Sequence, residues 1–237
     1  MPPAEGLAAD GLVKSFDGPD GRITVLDGAD LSVAPGSRVG LVGPSGCGKS
    51  TLAAILALLL RPDGGRVVLD GVPVDGWGLK VPQEVRRQVQ LIWQSPRQAT
   101  DPRMSLQAIV LEPLTIRRSL PTTTAERRDL AVSLAANAGL TPDLLCRYPH
   151  EVSDGQLQRA CLARALAVEP RFLLCDEPTS MLDASTQASL LAAVAEQQAR
   201  SQLGVLLITH DAVVARHWCE QVVDNRDLCR SAPLSGS

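Results

Sequence analysis

The chain has 237 residues and a formal net charge of −3, and 45% of its residues are hydrophobic. This length and composition allow one elaborated domain, or two lobes in one chain, with a large buried core. The acidic balance removes the long-range attraction for phosphate backbones on which most nucleic-acid-binding proteins rely, so we expect no nucleic-acid partner.

The sequence also argues against membrane-spanning, secreted and zinc-ribbon proteins. The longest apolar run, residues 52–60, is far shorter than the ~20 residues that cross a bilayer. The N-terminal residues show neither the basic nor the apolar region of a secretory signal. The six cysteines are scattered without CxxC spacing. We therefore expect a soluble chain with a cytoplasmic address.

In chain order, the pattern changes from strand-like to helical. Short β-prone runs alternate with turn clusters over residues 12–42, which predicts a β-rich opening. Residues 50–60 are apolar on nearly every side, as expected of a helix buried between layers. Beyond Trp93 the pattern predicts an inserted helical lobe, with helices near residues 122–139 and 156–168.

Two later runs, residues 172–175 and 205–208, are continuously apolar, and they flank a predicted helix near residues 185–199. Continuous apolar runs are typical of parallel strands that are covered on both faces. The alternation of strands and helices therefore predicts an α/β core.

Residues 43–50 match the pattern GxxxxGK[ST] between a predicted strand and a predicted helix. In that context backbone N–H groups converge on phosphate oxygens, and the helix N-terminus and Lys49 add positive charge. Ser50 can ligate Mg²⁺ through its hydroxyl. The loop predicts a nucleoside triphosphate site but leaves kinases, GTPases and transport ATPases open. The predicted phosphate contacts are Gly43, Pro44, Ser45, Gly46, Cys47, Gly48, Lys49, Ser50 and Thr51.

Asp176 and Glu177 follow an apolar strand, at the edge of a parallel sheet where ligands collect. Asp176 suits a magnesium ligand. Glu177 suits the base that polarises the attacking water, because a carboxylate beside a metal-bound phosphate can orient that water in line with the leaving group.

Residues 148–159 read Tyr-Pro-His-Glu-Val-Ser-Asp-Gly-Gln-Leu-Gln-Arg, and they resemble the signature of ABC ATPases, usually written LSGGQ. In that family the signature of one subunit faces the ATP held by another. The resemblance therefore implies that Ser153, Gly155 and Gln156 contact ATP across a head-to-tail dimer.

Other family motifs appear in the expected order over residues 12–225. The resemblance implies that Gln94 is the Q-loop glutamine that touches Mg²⁺, that residues 180–183 are the D-loop with Asp183, and that His210 is the switch histidine. Phe16 occupies the position of the aromatic residue that stacks on adenine. Taken alone, Phe16 would be interpreted as a core residue.

The resemblance implies a P-loop NTPase fold of class α/β in a single ABC ATPase domain, residues 1–237. A RecA-like core of mostly parallel sheet with an N-terminal antiparallel β subdomain would cover residues 7–93 and 169–225. A helical subdomain would cover residues 94–168, and a short tail residues 226–237.

Residues 94–96, 101–106 and 111–114 resemble the ATPases of peptide and nickel importers, and residues 157–170 are especially similar to the nickel branch. The similarity implies a peripheral protein on the cytoplasmic face of the cell membrane, with a second, non-identical ATPase and membrane permeases as partners. An extracytoplasmic substrate-binding protein would take part indirectly. The alternatives are an ABC ATPase outside transport and a nucleotide-switched interaction subunit with weak turnover.

Asp154 departs from the family pattern, because it replaces the first signature glycine. A carboxylate ~4–6 Å from the partner's ATP phosphate would cost on the order of 1–4 kcal/mol, unless the side chain turns away. We therefore expect one composite site to be weakened. The chain also has few residues after Val223, where relatives usually continue with a further strand and helix.

Overall fold

The structure is a computed structural model, and it describes residues 5–19, 21–74, 76–178 and 183–228. In these ranges the strands form one antiparallel and one parallel sheet. The strands are β1 (Leu7–Gly18), β2 (Gly21–Val33), β3 (Arg38–Val42), β4 (Gly64–Leu69), β5 (Val72–Pro73), β6 (Val89–Ile92), β7 (Phe172–Asp176), β8 (Gly204–Thr209) and β9 (Gln221–Asp224). The helices are α1 (Lys49–Leu56), α2 (Gln83–Arg86), α3 (Leu106–Ile116), α4 (Thr124–Asn137), α5 (Asp154–Leu166), α6 (Ala184–Ser201), α7 (Ala212–Trp218) and α8 (Asn225–Leu228).

The antiparallel sheet has the order β2-β1-β4-β5. Strand β1 lies between two partners, and its Leu7 is paired with Val33 on β2 and with Leu69 on β4. Residues of all three strands share one buried cluster with α1. The expected β-rich opening is therefore present, although β1 and β2 are longer than the runs that the sequence pattern indicated.

The parallel sheet has the order β6-β7-β8-β3-β9. Every residue of β7 and β8 is buried, as their continuous apolar runs predicted. Strands β3, β7 and β8 end at Val42, Asp176 and Thr209, and their parallel pairing brings these ends to one edge of the sheet. This edge holds the polar residues that the sequence singled out.

Helices α3, α4 and α5 form the predicted helical lobe. Ile109 of α3, Ala131 of α4 and Leu157 of α5 belong to one buried cluster that continues into β7 and β8. Thr123 and Glu126 form a capping box at the start of α4, which satisfies backbone donors that the helix leaves open.

The structure corrects two helix boundaries. Helix α1 ends at Leu56 and not near residue 60, because Leu58 adopts a positive φ of 62° that no helix continues through. Helix α5 begins at Asp154, two residues before the expected start. In the described ranges, none of the helices is both long enough and apolar enough to span a bilayer.

Candidate nucleotide site

The phosphate loop connects the end of β3 to the start of α1. Gly48 is the residue before α1 and has a φ of 94°. A Cβ atom at Gly48 would lie 2.8 Å from both Cγ1 and the carbonyl oxygen of Val25 on β2. Only glycine combines this backbone conformation with so close an approach. The loop is therefore shaped by its contact with β2 as well as by its own sequence.

Lys49 begins α1 and points back along the loop. Its side chain is almost fully buried, and its Nζ donates hydrogen bonds of 2.8 Å to the carbonyl oxygens of Gly43 and Pro44. The same Nζ lies 3.8 Å from Oε1 of Glu177. The ammonium group is thus held between the loop backbone and the end of β7.

Glu177 follows β7 with a φ of 45°, which is uncommon for a residue other than glycine. Its backbone N–H donates to the carbonyl oxygen of Ile208. Its Oε2 lies 3.2 Å from Nδ1 of His210 and accepts a 3.4 Å hydrogen bond from Nε2 of Gln94. The structure therefore brings together Lys49, Gln94, Glu177 and His210, which the sequence analysis predicted to take part in ATP hydrolysis, from the ends of three strands and the phosphate loop.

Asp176, the last residue of β7, is 3% exposed, and its Oδ1 has no hydrogen-bond partner among the described residues. Burial raises the pKa of Asp176, and the charge of Glu177 acts in the same direction. A hydrogen bond from Ser50 offsets only part of this increase. A buried carboxylate oxygen without a partner, beside a hydroxyl, fits a ligand set for Mg²⁺.

Two adjoining cavities lie at this edge of the sheet. One, of about 290 Å³, is lined by the phosphate loop together with Gln94 and Glu177. The other, of about 350 Å³, is lined by Asp176 and by residues around Trp93. Ser50 and Gln94 line both. In the described part of the chain no cluster of His, Cys, Asp or Glu could hold a metal by itself. Proteins often bind Mg²⁺ through one or two carboxylates plus substrate phosphates.

The turn that resembles the ABC signature starts α5. The Ser153 hydroxyl accepts a hydrogen bond from the backbone N–H of Gln156, whose side-chain oxygen accepts one from the backbone N–H of Ser153. Gly155 is buried in the first turn. Asp154 does not stand alone: Nε of Arg97 lies 2.7 Å from its Oδ1.

Comparison with known proteins decides the family. A protein-family model described as ABC transporter matches residues 26–180. This chain belongs to the ABC transporter family. The chain is accordingly an ATPase, as the sequence motifs predicted, and the α/β fold of the ABC cassette is confirmed.

Two curated relatives of this ABC ATPase cover most of its length. The nickel import ATP-binding protein NikE of Brucella suis is 42% identical over 213 residues, which are 86% of this chain and 78% of NikE. A putative peptide import ATP-binding protein of Brucella ovis is 37% identical over 217 residues, which are 92% of this chain and 68% of the relative.

Solved structures agree with the family assignment. The ATP-binding cassette MJ0796, in a dimeric post-hydrolysis state bound to ADP and Pi, superposes with a TM-score of 0.81 at 27% identity. The match covers 92% of this chain and 93% of the other. The cbiO1 protein of Clostridium perfringens, part of an ABC transporter complex, superposes with a TM-score of 0.76 at 25% identity, over 92% of this chain and 83% of its own.

Asp183 and the turn at residues 153–156 of this ABC ATPase make contacts of their own. Among the described residues, no hydrogen bond or ion pair joins Asp183 or the turn at residues 153–156 to either of them. Asp183 caps α6 by accepting hydrogen bonds from the backbone N–H groups of Ser185 and Thr186. The Ser185 and Thr186 hydroxyls donate to it as well, and these bonds hold the pKa of Asp183 well below its usual range. Residues 180–182 of the D-loop lie outside the described part of the chain.

Phe16 is not a core residue, so its interpretation from the sequence taken alone is wrong. Its side chain is 42% exposed near the end of β1, and Nζ of Lys14 lies 5.4 Å from the ring centre. An exposed ring on the sheet that also carries Val25 is available for contact with a flat ligand group. The adenine-stacking role of Phe16 stays a prediction.

The sequence interpretation missed two residues that contact the site motifs. Asn225, at the start of α8, donates from Nδ2 to the Cys47 carbonyl of the phosphate loop at 2.8 Å. Arg97 contacts the signature turn. Neither residue belongs to a motif, and their partners lie 178 and 57 positions away. No local signal could therefore have identified them.

Proposed function

We propose that this ABC ATPase powers solute uptake through separate membrane permease subunits, with a peptide or a nickel-type solute as cargo. The names of two relatives, a peptide import and a nickel import ATP-binding protein, support this cargo class. The chain would then act as a peripheral protein on the cytoplasmic face of the membrane. Its solute would be captured by an extracytoplasmic binding protein that this chain does not touch.

The observation that carries the proposal is the cavity lined by Lys49, Gln94 and Glu177, with His210 in contact with Glu177. Backbone N–H groups of the phosphate loop and the Lys49 ammonium would bind the β- and γ-phosphates. Ser50, Asp176 and Gln94 would hold Mg²⁺, which when bound neutralises charge that develops on the phosphates. Glu177 would orient and polarise the attacking water, and His210 would keep the Glu177 carboxylate in place.

Hydrolysis would take place between two ATPase subunits. Among the described residues no hydrogen bond or ion pair joins the signature turn to Lys49 or Glu177, and in this proposal the turn serves the nucleotide of a second subunit. The dimeric cassette that superposes on this chain supports such an arrangement. By analogy with the peptide and nickel importers, the second subunit would be a non-identical ATPase. The Ser153 hydroxyl and the N-terminus of α5 would offer hydrogen-bond donors to the γ-phosphate of the ATP bound on that second subunit.

A groove of about 380 Å³ supports the permease contact. It lies where the helical lobe meets the core, and its wall includes Trp93, which directly precedes Gln94. Leu59, Trp93 and Ile116 leave apolar surface exposed there, beside the guanidinium groups of Arg86 and Arg117. A permease segment bound in this groove would contact Trp93 and would thereby be coupled to movement of the adjacent Gln94.

The test replaces Glu177 by glutamine, which keeps the shape of the side chain and removes its charge. We expect ATP binding to persist, a closed dimer to accumulate with MgATP, and turnover to fall about 10²- to 10⁴-fold. Glu196→Gln is the matched control, because Glu196 is an exposed glutamate of α6 that pairs with Arg200. Multiple turnover of the Glu177→Gln variant at the normal rate would contradict the assignment.

The cargo requires a separate experiment. The complex that co-purifies with the full chain is reconstituted into vesicles with its binding protein, and uptake of a labelled peptide and of nickel is measured with MgATP. We expect the vesicles to take up one of these two solutes, and we expect Glu177→Gln to abolish that uptake. ATP hydrolysis without uptake of either would remove the proposed cargo class but leave the ATPase assignment intact.

A further inference from the structure

One arginine holds the turn that carries the signature. Nη1 of Arg97 donates to the carbonyl oxygen of Pro149 at 2.9 Å, and Nη2 donates to the carbonyl oxygen of Val152 at 3.2 Å. Nε of the same guanidinium lies 2.7 Å from Oδ1 of Asp154. A single planar group therefore contacts residues 149, 152 and 154, from the segment before α5 to its first residue.

Arg97 makes two kinds of contact: hydrogen bonds to two carbonyl oxygens and an ion pair with the Asp154 carboxylate. The Nε–H is not aligned for a hydrogen bond to Asp154, whose Oδ1 has no hydrogen-bond partner among the described residues. The contact with Asp154 is therefore an ion pair defined by distance. The two hydrogen bonds to carbonyl oxygens fix the orientation of the guanidinium group. Its positive charge is thereby held beside the Asp154 carboxylate.

Arg97 also connects this turn to the loop that contains Gln94. Two more contacts join α5 to the same loop: Gln158 donates to the carbonyl oxygen of Trp93, and Arg164 donates to that of Ala99. Arg97 is thus the third contact of a series, placed at the N-terminal end of α5. Movement of the Gln94 loop would carry the signature turn with it.

Asp154 has opposite effects at the start of α5. A carboxylate in the first turn of a helix is stabilised by the helix dipole. The same carboxylate repels a triphosphate that approaches this helix N-terminus. A cation at 2.7 Å opposes that repulsion, while Ser153 and Gln156 keep their capping hydrogen bonds.

We propose that Arg97 is a positioning residue for ATP hydrolysis, which neutralises Asp154 and holds the signature turn in a form that accepts the partner's γ-phosphate. The inference rests on the composite site of the proposed function. It replaces the expectation of a weakened composite site, because an aspartate paired in this way no longer presents a free negative charge. Arg97 and Asp154 then act as one unit in place of the glycine.

The experiment is a double-mutant cycle on the full chain, assayed for ATP hydrolysis in the complex with which it purifies. Arg97→Ala in the natural background leaves Asp154 unpaired, and we expect kcat/KM for ATP to fall about tenfold, within the range for like charges 4–6 Å apart at a surface. In the Asp154→Gly background the same change of Arg97 is expected to alter kcat/KM by less than about twofold.

Salt dependence and a matched control separate an electrostatic role from a merely structural one. The penalty of Arg97→Ala should shrink when ionic strength rises from about 0.05 to about 0.5 M, because screening weakens the repulsion from Asp154. Arg103→Ala is the control, because Arg103 lies in the same loop and pairs with Asp101 at 2.9 Å. We expect it to hydrolyse ATP at the normal rate.

Arg97→Gln provides a second variant in case alanine unfolds the turn, because glutamine can still donate to a carbonyl but carries no charge. Equal losses from the Arg97 changes in both backgrounds would overturn the inference. Normal turnover by Glu177→Gln, measured in parallel, would instead overturn the proposed function. The two failures are therefore distinguishable.

Discussion

Replacing Asn225 by alanine tests whether the C-terminal end of the parallel sheet supports the phosphate loop. Asn225 is 8% exposed and directly follows β9. Its Nδ2 donates to the Cys47 carbonyl, and its Cβ would lie 2.8 Å from a Cβ atom built on Gly43. Asn225 therefore lies close to Gly43, the first residue of the loop, and is hydrogen-bonded to the loop at Cys47.

The magnitude follows from the single hydrogen bond. A hydrogen bond of this kind contributes about 0.5–1.5 kcal/mol net. If all of it holds the loop in its phosphate-binding conformation, its loss weakens ATP binding about twofold to tenfold. Oδ1 of Asn225 has no partner among the described residues. Alanine therefore also removes an unpaired buried acceptor, and we expect the free energy of unfolding to change less than the affinity does.

The assay is isothermal titration calorimetry with MgATP, accompanied by urea unfolding. Gln197→Ala is the control, because Gln197 also donates from a side-chain amide to a backbone carbonyl, that of Asn137 in the helical lobe. We expect Gln197→Ala to leave ATP affinity unchanged. If Asn225→Ala binds ATP as tightly as the natural chain, the hydrogen bond does not support the loop and the reasoning is wrong.

Two further predictions concern Phe16 and Asp176. Phe16→Ala should weaken ATP binding by the ~1–3 kcal/mol of a base–aromatic contact. In competition titrations it should leave the binding of tripolyphosphate unchanged, because tripolyphosphate has no base. Equal losses of affinity for both ligands would contradict adenine stacking. Burial raises the pKa of Asp176, so the folded chain keeps this proton to a higher pH than the unfolded chain, and stability falls as pH rises above the ordinary value of 3.8. Asp176→Asn should therefore raise the melting temperature at pH 7, by a margin that narrows as pH falls towards 4. A lower melting temperature than that of the natural chain at pH 7 would refute this. The same change should abolish hydrolysis, because it removes a proposed Mg²⁺ ligand.

Much of the fold was predictable because local pattern and burial agree along the chain. The strands β7 and β8 were identified from runs of apolar residues, since strands covered on both faces must be apolar throughout. The α4 and α5 segments were identified from their helical pattern to within a few residues. The extra length of β1 and β2 was not predictable, because residues on these strands alternate irregularly between buried and exposed positions.

The candidate site was predictable to the extent that its chemistry lies in contiguous motifs. Lys49, Glu177 and His210 each follow a recognisable strand, and parallel strands bring their carboxyl ends to one edge. The setting of Asp154 was not predictable, since its cation comes from a loop 57 positions earlier. Phe16 was interpreted as buried when taken alone because most phenylalanines are, and only the position of β1 leaves its ring exposed.

The sequence alone determined the phosphate loop, the order of the family motifs and the alternation of strand and helix, because each depends on residues that are neighbours in the chain. The tertiary structure decided which distant residues meet: Asn225 with the phosphate loop, and Arg97 with the signature turn. Such contacts follow from how two sheets and a helical lobe pack, and packing is set by the whole buried core. For this reason the charge of Asp154 could be read from the sequence, whereas the arginine beside it could be found only in the fold.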